Sequence, residues 1–252
     1  DRIREAVVAR LSPARLVAIH RCLAVALETR GGADPETLYE HYAGAGDATR
    51  ARRFAAEAAE FAFRALAFER AADLYRRVVD LARDAGGATL AFEARLGDSL
   101  ANIGRGLEAA DVYLEAAERA ETAQVIELRR RAADQLLRCG HVERGAEVVK
   151  AVLRAVGVRA PRSPGHALVR LLVRRVLVRL RGLGFRERRE EELPAETIRR
   201  LDVCWTISLG FARADNLIAA DYHTQHLLLA LRAGEPFRVT QALGAGAGSV
   251  SL

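Results

Sequence analysis

Methionine is absent, lysine occurs once at Lys150, and aromatic residues make up only 6% of the chain. So few aromatics, and no run of alternating β-branched residues, argue against a sheet-based core. The three cysteines, Cys22, Cys139 and Cys204, are widely spaced, odd in number and never in a CxxC pair. That excludes a disulfide framework and a zinc ribbon, and it fits a reducing cytoplasm. No uninterrupted apolar run reaches the roughly 18 residues a spanning helix needs. The alternating glycines and alanines at 244–248 are followed by no Gly-Lys-Ser/Thr, so they form no phosphate-binding loop. His-Arg-Asp and Asp-Phe-Gly are missing too, so the chain should not transfer phosphate. It begins at Asp1 without any methionine, which predicts a piece of a longer protein.

What is present is alanine, leucine and arginine. Half of the residues are hydrophobic, and 39 bases against 33 acids give a net charge of +6. The two signs are interleaved, as on the outer faces of salt-bridged helices. Ser12-Pro13, Asp34-Pro35 and Asp47 read as helix starts, with a side-chain cap and, twice, proline in the first turn. A short amphipathic stretch, Ile3-Arg4-Glu5-Ala6-Val7-Val8, precedes them. Between residues 90 and 153 two helical hairpins of one design follow each other. Small residues (Gly97, Ala109, Ala133, Gly145) stand beside large ones (Leu96, Leu100, Tyr113, Leu136, Val149). A weaker copy lies upstream, with Ala71-Ala72-Asp73-Leu74-Tyr75 where Ala109 to Tyr113 stand in the next. Small residues let two backbones approach and large ones fill the space beside them. One such hairpin cannot bury its apolar face alone, so hairpins stack. The expected fold class is all-α.

Gly97, Ala109, Tyr113 and Ala116 match the small and large positions of the tetratricopeptide repeat, which this pattern resembles. The early tryptophan of that family is replaced by Glu93 or Arg129, and its terminal proline is missing. The resemblance implies a right-handed superhelix of tetratricopeptide-like helix pairs, of ten to twelve helices. A second resemblance rests on Leu11-Ser12-Pro13-Ala14-Arg15, Glu40-His41-Tyr42, Leu201-Asp202-Val203-Cys204-Trp205 and Arg232-Ala233-Gly234-Glu235-Pro236. These runs look like the helical arrays of large bacterial signalling proteins, in which a serine/threonine kinase is fused to a signal-transduction ATPase with numerous domains. The resemblance implies three segments. Residues 1–46 form a helical lead-in after an upstream winged-helix and ATPase module, 47–157 the repeats, and 158–252 an irregular continuation. It also implies a non-catalytic, cytoplasmic scaffold or sensor needing no cofactor. Its partner would be a protein or peptide segment, such as the kinase or ATPase modules of the same chain.

Six first-helix positions are candidates for the concave, partner-binding face by their spacing: Arg95, Asp98, Asn102, Arg131, Asp134 and Gln135. Two alternatives remain. Asp221, His223 and His226 could form the metal site of a hydrolase, although a protease-type zinc site wants histidines four apart with a glutamate between. The arginine-rich helix expected over 166–183 carries an apolar stripe (Val169, Leu172, Val173, Val176, Leu180, Leu183) flanked by arginines. It could lie on an anionic membrane surface. The main expectation is a packed helix whose stripe is buried and whose arginine heads reach water; nucleic acid is not an expected partner.

Overall fold

The computed structural model describes residues 11–212 and 214–249; the stretch Ile3 to Val8 lies outside them. Among the described residues there are twelve helices and no strand. The chain divides into two compact units, Asp1–Val112 and Tyr113–Leu252.

The first unit begins with three helices started by their caps. Ser12 accepts from the Arg15 amide and opens α1 (Pro13–Arg30). Asp34 accepts from the Thr37 amide at 3.2 Å and opens α2 (Pro35–Gly44), and Asp47 accepts from the Arg50 amide at 3.0 Å and opens α3 (Ala48–Arg64). After them come α4 (Phe68–Asp84), α5 (Leu90–Asn102) and α6 (Gly106–Ala117), the last of which contains the division between the units. From α1 to α5 each helix packs on the next. The interface of α3 is a strip of buried alanines, Ala51, Ala55, Ala58, Ala59 and Ala62. Against α4 it meets Leu74, Tyr75, Val78 and Val79, also buried. Small-against-large packing of this kind contributes about 1.5–3 kcal/mol for each large apolar side chain removed from water. Tyr42 stacks on Phe54 with ring centroids 5.5 Å apart, and its hydroxyl donates to Glu28, which also accepts from Arg53 at 2.6 Å.

In the second unit, α7 (Thr122–Arg138) and α8 (Val142–Ala155) pair across the turn at Gly140, where φ is +82°. The next helix to join them is not the next in sequence. It is α10 (Ala195–Phe211) that packs on both α7 and α8, and it pairs in turn with α11 (Asn216–Ala233). Two glycines permit this. A Cβ on Gly145 would lie 2.8 Å from Leu137, and one on Gly210 would lie 2.5 Å from the same side chain, so Leu137 is wedged between α8 and α10. The intervening α9 (Pro164–Arg181) packs on α11. It is therefore an insertion laid against the α10–α11 pair, not a member of the sequential succession. A 3-10 turn at Glu190–Glu192 leads back to α10, and α12 (Pro236–Ser249) packs on α11. The main core joins Leu137, Val149, Val152, Val203, Ile207 and Tyr222, and a smaller one gathers Leu193, Leu201, Leu231 and Val239.

The glycine–alanine run at 244–248 lies within α12, which continues to Ser249. The arginine helix starts two residues earlier than its periodicity suggests, because Ser163 accepts from the His166 amide at 3.2 Å and Pro164 takes the first position.

Candidate functional site

Two arginines of α9 point the opposite way from expectation. Arg170 and Arg174 face inward onto Asp221 of α11, a carboxylate with no exposed surface. Arg170 Nη2 lies 3.1 Å from Asp221 Oδ2, while Arg174 pairs with Oδ1 of the same carboxylate and also donates to the Asp221 carbonyl at 3.3 Å. Arg170 Nη1 donates to the Arg159 carbonyl at 2.8 Å, which ties down the connection between α8 and α9. Nearer the helix end, Arg181 donates to the Leu231 carbonyl at 2.9 Å. A carboxylate cannot be buried without such partners, since the desolvation cost of an isolated charge is several kcal/mol or more. The apolar stripe consequently lies outside. Val169, Leu172, Val173, Val176 and Leu180 are all exposed, which corrects the expectation that the stripe is buried.

Above the ion triad lies a cleft of about 900 Å³. Lys150 and Arg154 of α8, Arg159 and Arg162 of the connection, and Arg170 and Arg174 of α9 line it together with His166 and Gln225. No carboxylate is among its lining residues. The reason is written in the chain: residues 148–186 contain ten lysines and arginines and not one aspartate or glutamate. Lys150 is engaged with Glu147 at 2.6 Å, and Asp221 beneath the floor offsets part of the Arg170 and Arg174 charge. The cleft still carries a positive excess, and guanidinium forks suit carboxylate and phosphate oxygens in pairs.

No family model, curated protein or solved structure matches this chain. Its site therefore has to be judged on its own geometry.

The six first-helix positions fall three in each unit. In the first unit, Arg95 lies 3.6 Å from Glu60 and 4.8 Å above the Phe63 ring, and Asn102 donates to the Asp98 carbonyl at 2.8 Å. In the second, Arg131 donates to Glu127 at 2.7 Å, Gln135 to Asp134 at 3.2 Å, and Arg138 to Asp134 at 3.0 Å. All six lie at least partly at the surface, yet their bonds run mostly along their own helices. A ligand there would exchange existing bonds for new ones, with little net gain.

The polar run 221–226 does not converge on one point. Asp221 is taken by the two arginines, and the buried His226 turns its Nδ1–H to the Leu201 carbonyl at 3.1 Å, with its ring 5.3 Å from Trp205. His223 is only partly buried. Among the described residues, no group of three or more His, Cys, Asp or Glu is placed to hold a metal ion. Cys204, beside this cluster in the core, has its thiol pushed up to about 12 by burial, so it is no thiolate nucleophile near neutrality.

Burial also lowers the His226 pKa to about 4 from an ordinary 6.5, against the opposing pull of the Leu201 carbonyl. The unfolded chain thus binds a proton that the native state refuses between these values. Stability contributed by the neutral ring is complete above pH ~6.5, falls as pH drops towards ~4, and amounts to roughly 3 kcal/mol. Urea unfolding followed across that window should show this loss, and His226→Gln should flatten it. A profile equally steep in the variant would refute the assignment.

Sequence reasoning did not single out Lys150, Arg154, Arg159 or Arg162, although the long acid-free run is visible to simple counting. The structure also brings together His20 and His41, Nδ1 to Nδ1 at 3.1 Å; Gly44, the last residue of α2, permits this, since a Cβ there would meet the His20 ring at 2.7 Å.

Proposed function

We propose that this chain is a non-catalytic binding scaffold of a multidomain bacterial signalling protein, working in the cytoplasm, and that its second unit grips an acidic segment of a protein. The signalling context rests on the resemblance to kinase–ATPase arrays. The observation that carries the binding role is the basic cleft. Six cations converge there without a lining carboxylate, on helices braced by a buried ion triad. Rigid display of this kind lowers the ordering cost of binding, because the arginines of the floor are held in place before the ligand arrives. The acidic segment would belong to a partner or to the kinase or ATPase modules of the same chain.

We also propose that, within each unit taken by itself, the helix pairs stack in the right-handed, tetratricopeptide-like manner. Support comes from the sequential packing of α1 to α5 and from α10 joining both members of the α7–α8 pair. Arg95, Asp98 and Asn102 in the first unit, and Arg131, Asp134 and Gln135 in the second, would then each offer polar contacts to a partner on their own unit.

Fluorescence anisotropy with a labelled oligoglutamate tests the cleft. Arg154→Glu with Arg159→Glu, both exposed on the cleft wall, should weaken binding by about tenfold or more, and added salt should weaken the wild type. Unchanged affinity in the double variant would remove the cleft from the proposal. Loss of binding in Arg95→Ala with Arg131→Ala instead would move the site to the first-helix positions.

A further inference from the structure

Among the described residues, α9 is the helix with the most large aliphatic side chains more than half exposed. Val169, Leu172, Val173, Val176 and Leu180 are each more than half exposed, and at 100° per residue they share one continuous arc. Arg175 and Arg179, both exposed, stand along one margin of that arc. Leu183 and Phe185, beyond the helix end, extend the exposed apolar surface. Contiguous apolar surface of this extent on a soluble fold marks a place of contact.

The fold explains how the arc arises. The side of α9 that meets α11 is already occupied by Arg170, Arg174 and Arg181, which neutralise Asp221 and bond the Leu231 carbonyl. The aliphatic residues have nowhere to go but out. An inserted helix with no place in the succession of pairs is kept there by those arginines.

We infer that this face of α9 lies in the headgroup layer of an anionic membrane, with the helix parallel to the surface. Among the described residues no helix is long and apolar enough to cross a bilayer, but α9 offers about 17 Å of apolar ridge from Val169 to Leu180 for shallow burial. Charge selects the occupant. Residues 148–186 contain no acid, so Arg175 and Arg179 have none in their own segment to answer them. A second copy docked through the same face would bring two such margins together, with the nearest acids in sequence only beyond the helix end at Glu187 and Glu190–Glu192. An anionic bilayer supplies acyl chains for the ridge and phosphate for the margin at once. The inference is independent of the cleft, which lies towards the inner side of the same helix.

The test is co-sedimentation of the whole chain with vesicles of phosphatidylcholine alone and of an equal mixture of phosphatidylcholine and phosphatidylglycerol. The wild type should pellet with the mixture and stay in solution with the neutral lipid. Val173→Asp with Val176→Asp should reduce binding by about tenfold or more, and Arg175→Gln with Arg179→Gln by about tenfold. Both pairs are exposed, and unchanged circular dichroism confirms that the fold survives. A wild type that ignores anionic vesicles overturns the inference. If its mass by analytical ultracentrifugation is then twice that of the Val173→Asp, Val176→Asp chain, the face belongs to self-association instead. Vesicle binding that both double variants retain in full overturns it as well.

Discussion

Asp221→Ala should lower the stability of the second unit by about 3–5 kcal/mol, the cost of leaving buried charges without their counterion. Arg170 and Arg174 are only 14% and 18% exposed at the side chain, on the floor of the cleft, so water compensates little of a lost counterion. Loss of the carboxylate leaves two largely buried guanidinium groups side by side without the counterion they share. Chemical denaturation followed by circular dichroism measures the change. The triple replacement Asp221→Leu, Arg170→Met, Arg174→Met should recover much of the loss, since a buried ion cluster is commonly no more stabilising than apolar groups of the same volume. A single-variant effect below about 1 kcal/mol would mean that the triad is solvated, contrary to its burial.

Gly234→Ala should cost about 3 kcal/mol, through two separable causes. Gly234 ends α11 at φ +78°, where a side chain costs about 1–2 kcal/mol. In addition, a Cβ would stand 2.0 Å from the Arg186 carbonyl oxygen, and backbone must shift to admit it. Displacement of packed structure adds about 1–3 kcal/mol. The Gly234 carbonyl accepts from the Arg188 amide at 2.9 Å, so the same substitution loosens the segment that leads from α9 back to α10. Gly140 provides the comparison. It has φ +82° with nothing within 4 Å of its Cβ position, so Gly140→Ala should cost only about 1–2 kcal/mol. Equal losses in the two variants would remove the close approach of residue 186 from the account.

Helix ends were legible wherever a local signal marks them. Asp215 accepts from the amides of Leu217 and Ile218 at 3.0 Å and Gly234 closes the other end, so the sequence alone places α11 at residues 216–233. The same is true of α1 and α2, where serine or aspartate stands directly before proline. The close approach at Gly145 was legible as well, because a glycine inside a helix has few other uses. Its counterpart Gly210 was not singled out, since its partner Leu137 is remote in sequence and belongs to another helix.

The candidate site was harder to see, for a reason α9 makes plain. Helical periodicity separates an apolar stripe from an arginine stripe but carries no sign saying which one faces inward. Hydrophobicity by itself favours burying the aliphatic side. The decision was made by Asp221, 47 residues beyond Arg174, whose buried charge needs two guanidinium groups more than the core needs another row of valines. The cluster 221–226 shows the same effect. Its residues suggest a common ligand when read as neighbours, but α11 packs against α9 and α10, and these claim Asp221 and His226 respectively.

By itself, then, the amino-acid order determined an all-helical chain, most helix limits, the small-against-large interfaces and the positive excess. These follow from caps, glycines and periodicity acting within about twenty residues. Tertiary structure alone decided that α10 joins the α7–α8 pair past an inserted α9, that Arg170 and Arg174 of α9 turn inward while its aliphatic residues meet solvent, and that six scattered cations share one cleft. Each of those outcomes depends on a counterion or packing partner from a different helix, and only folding brings it within reach.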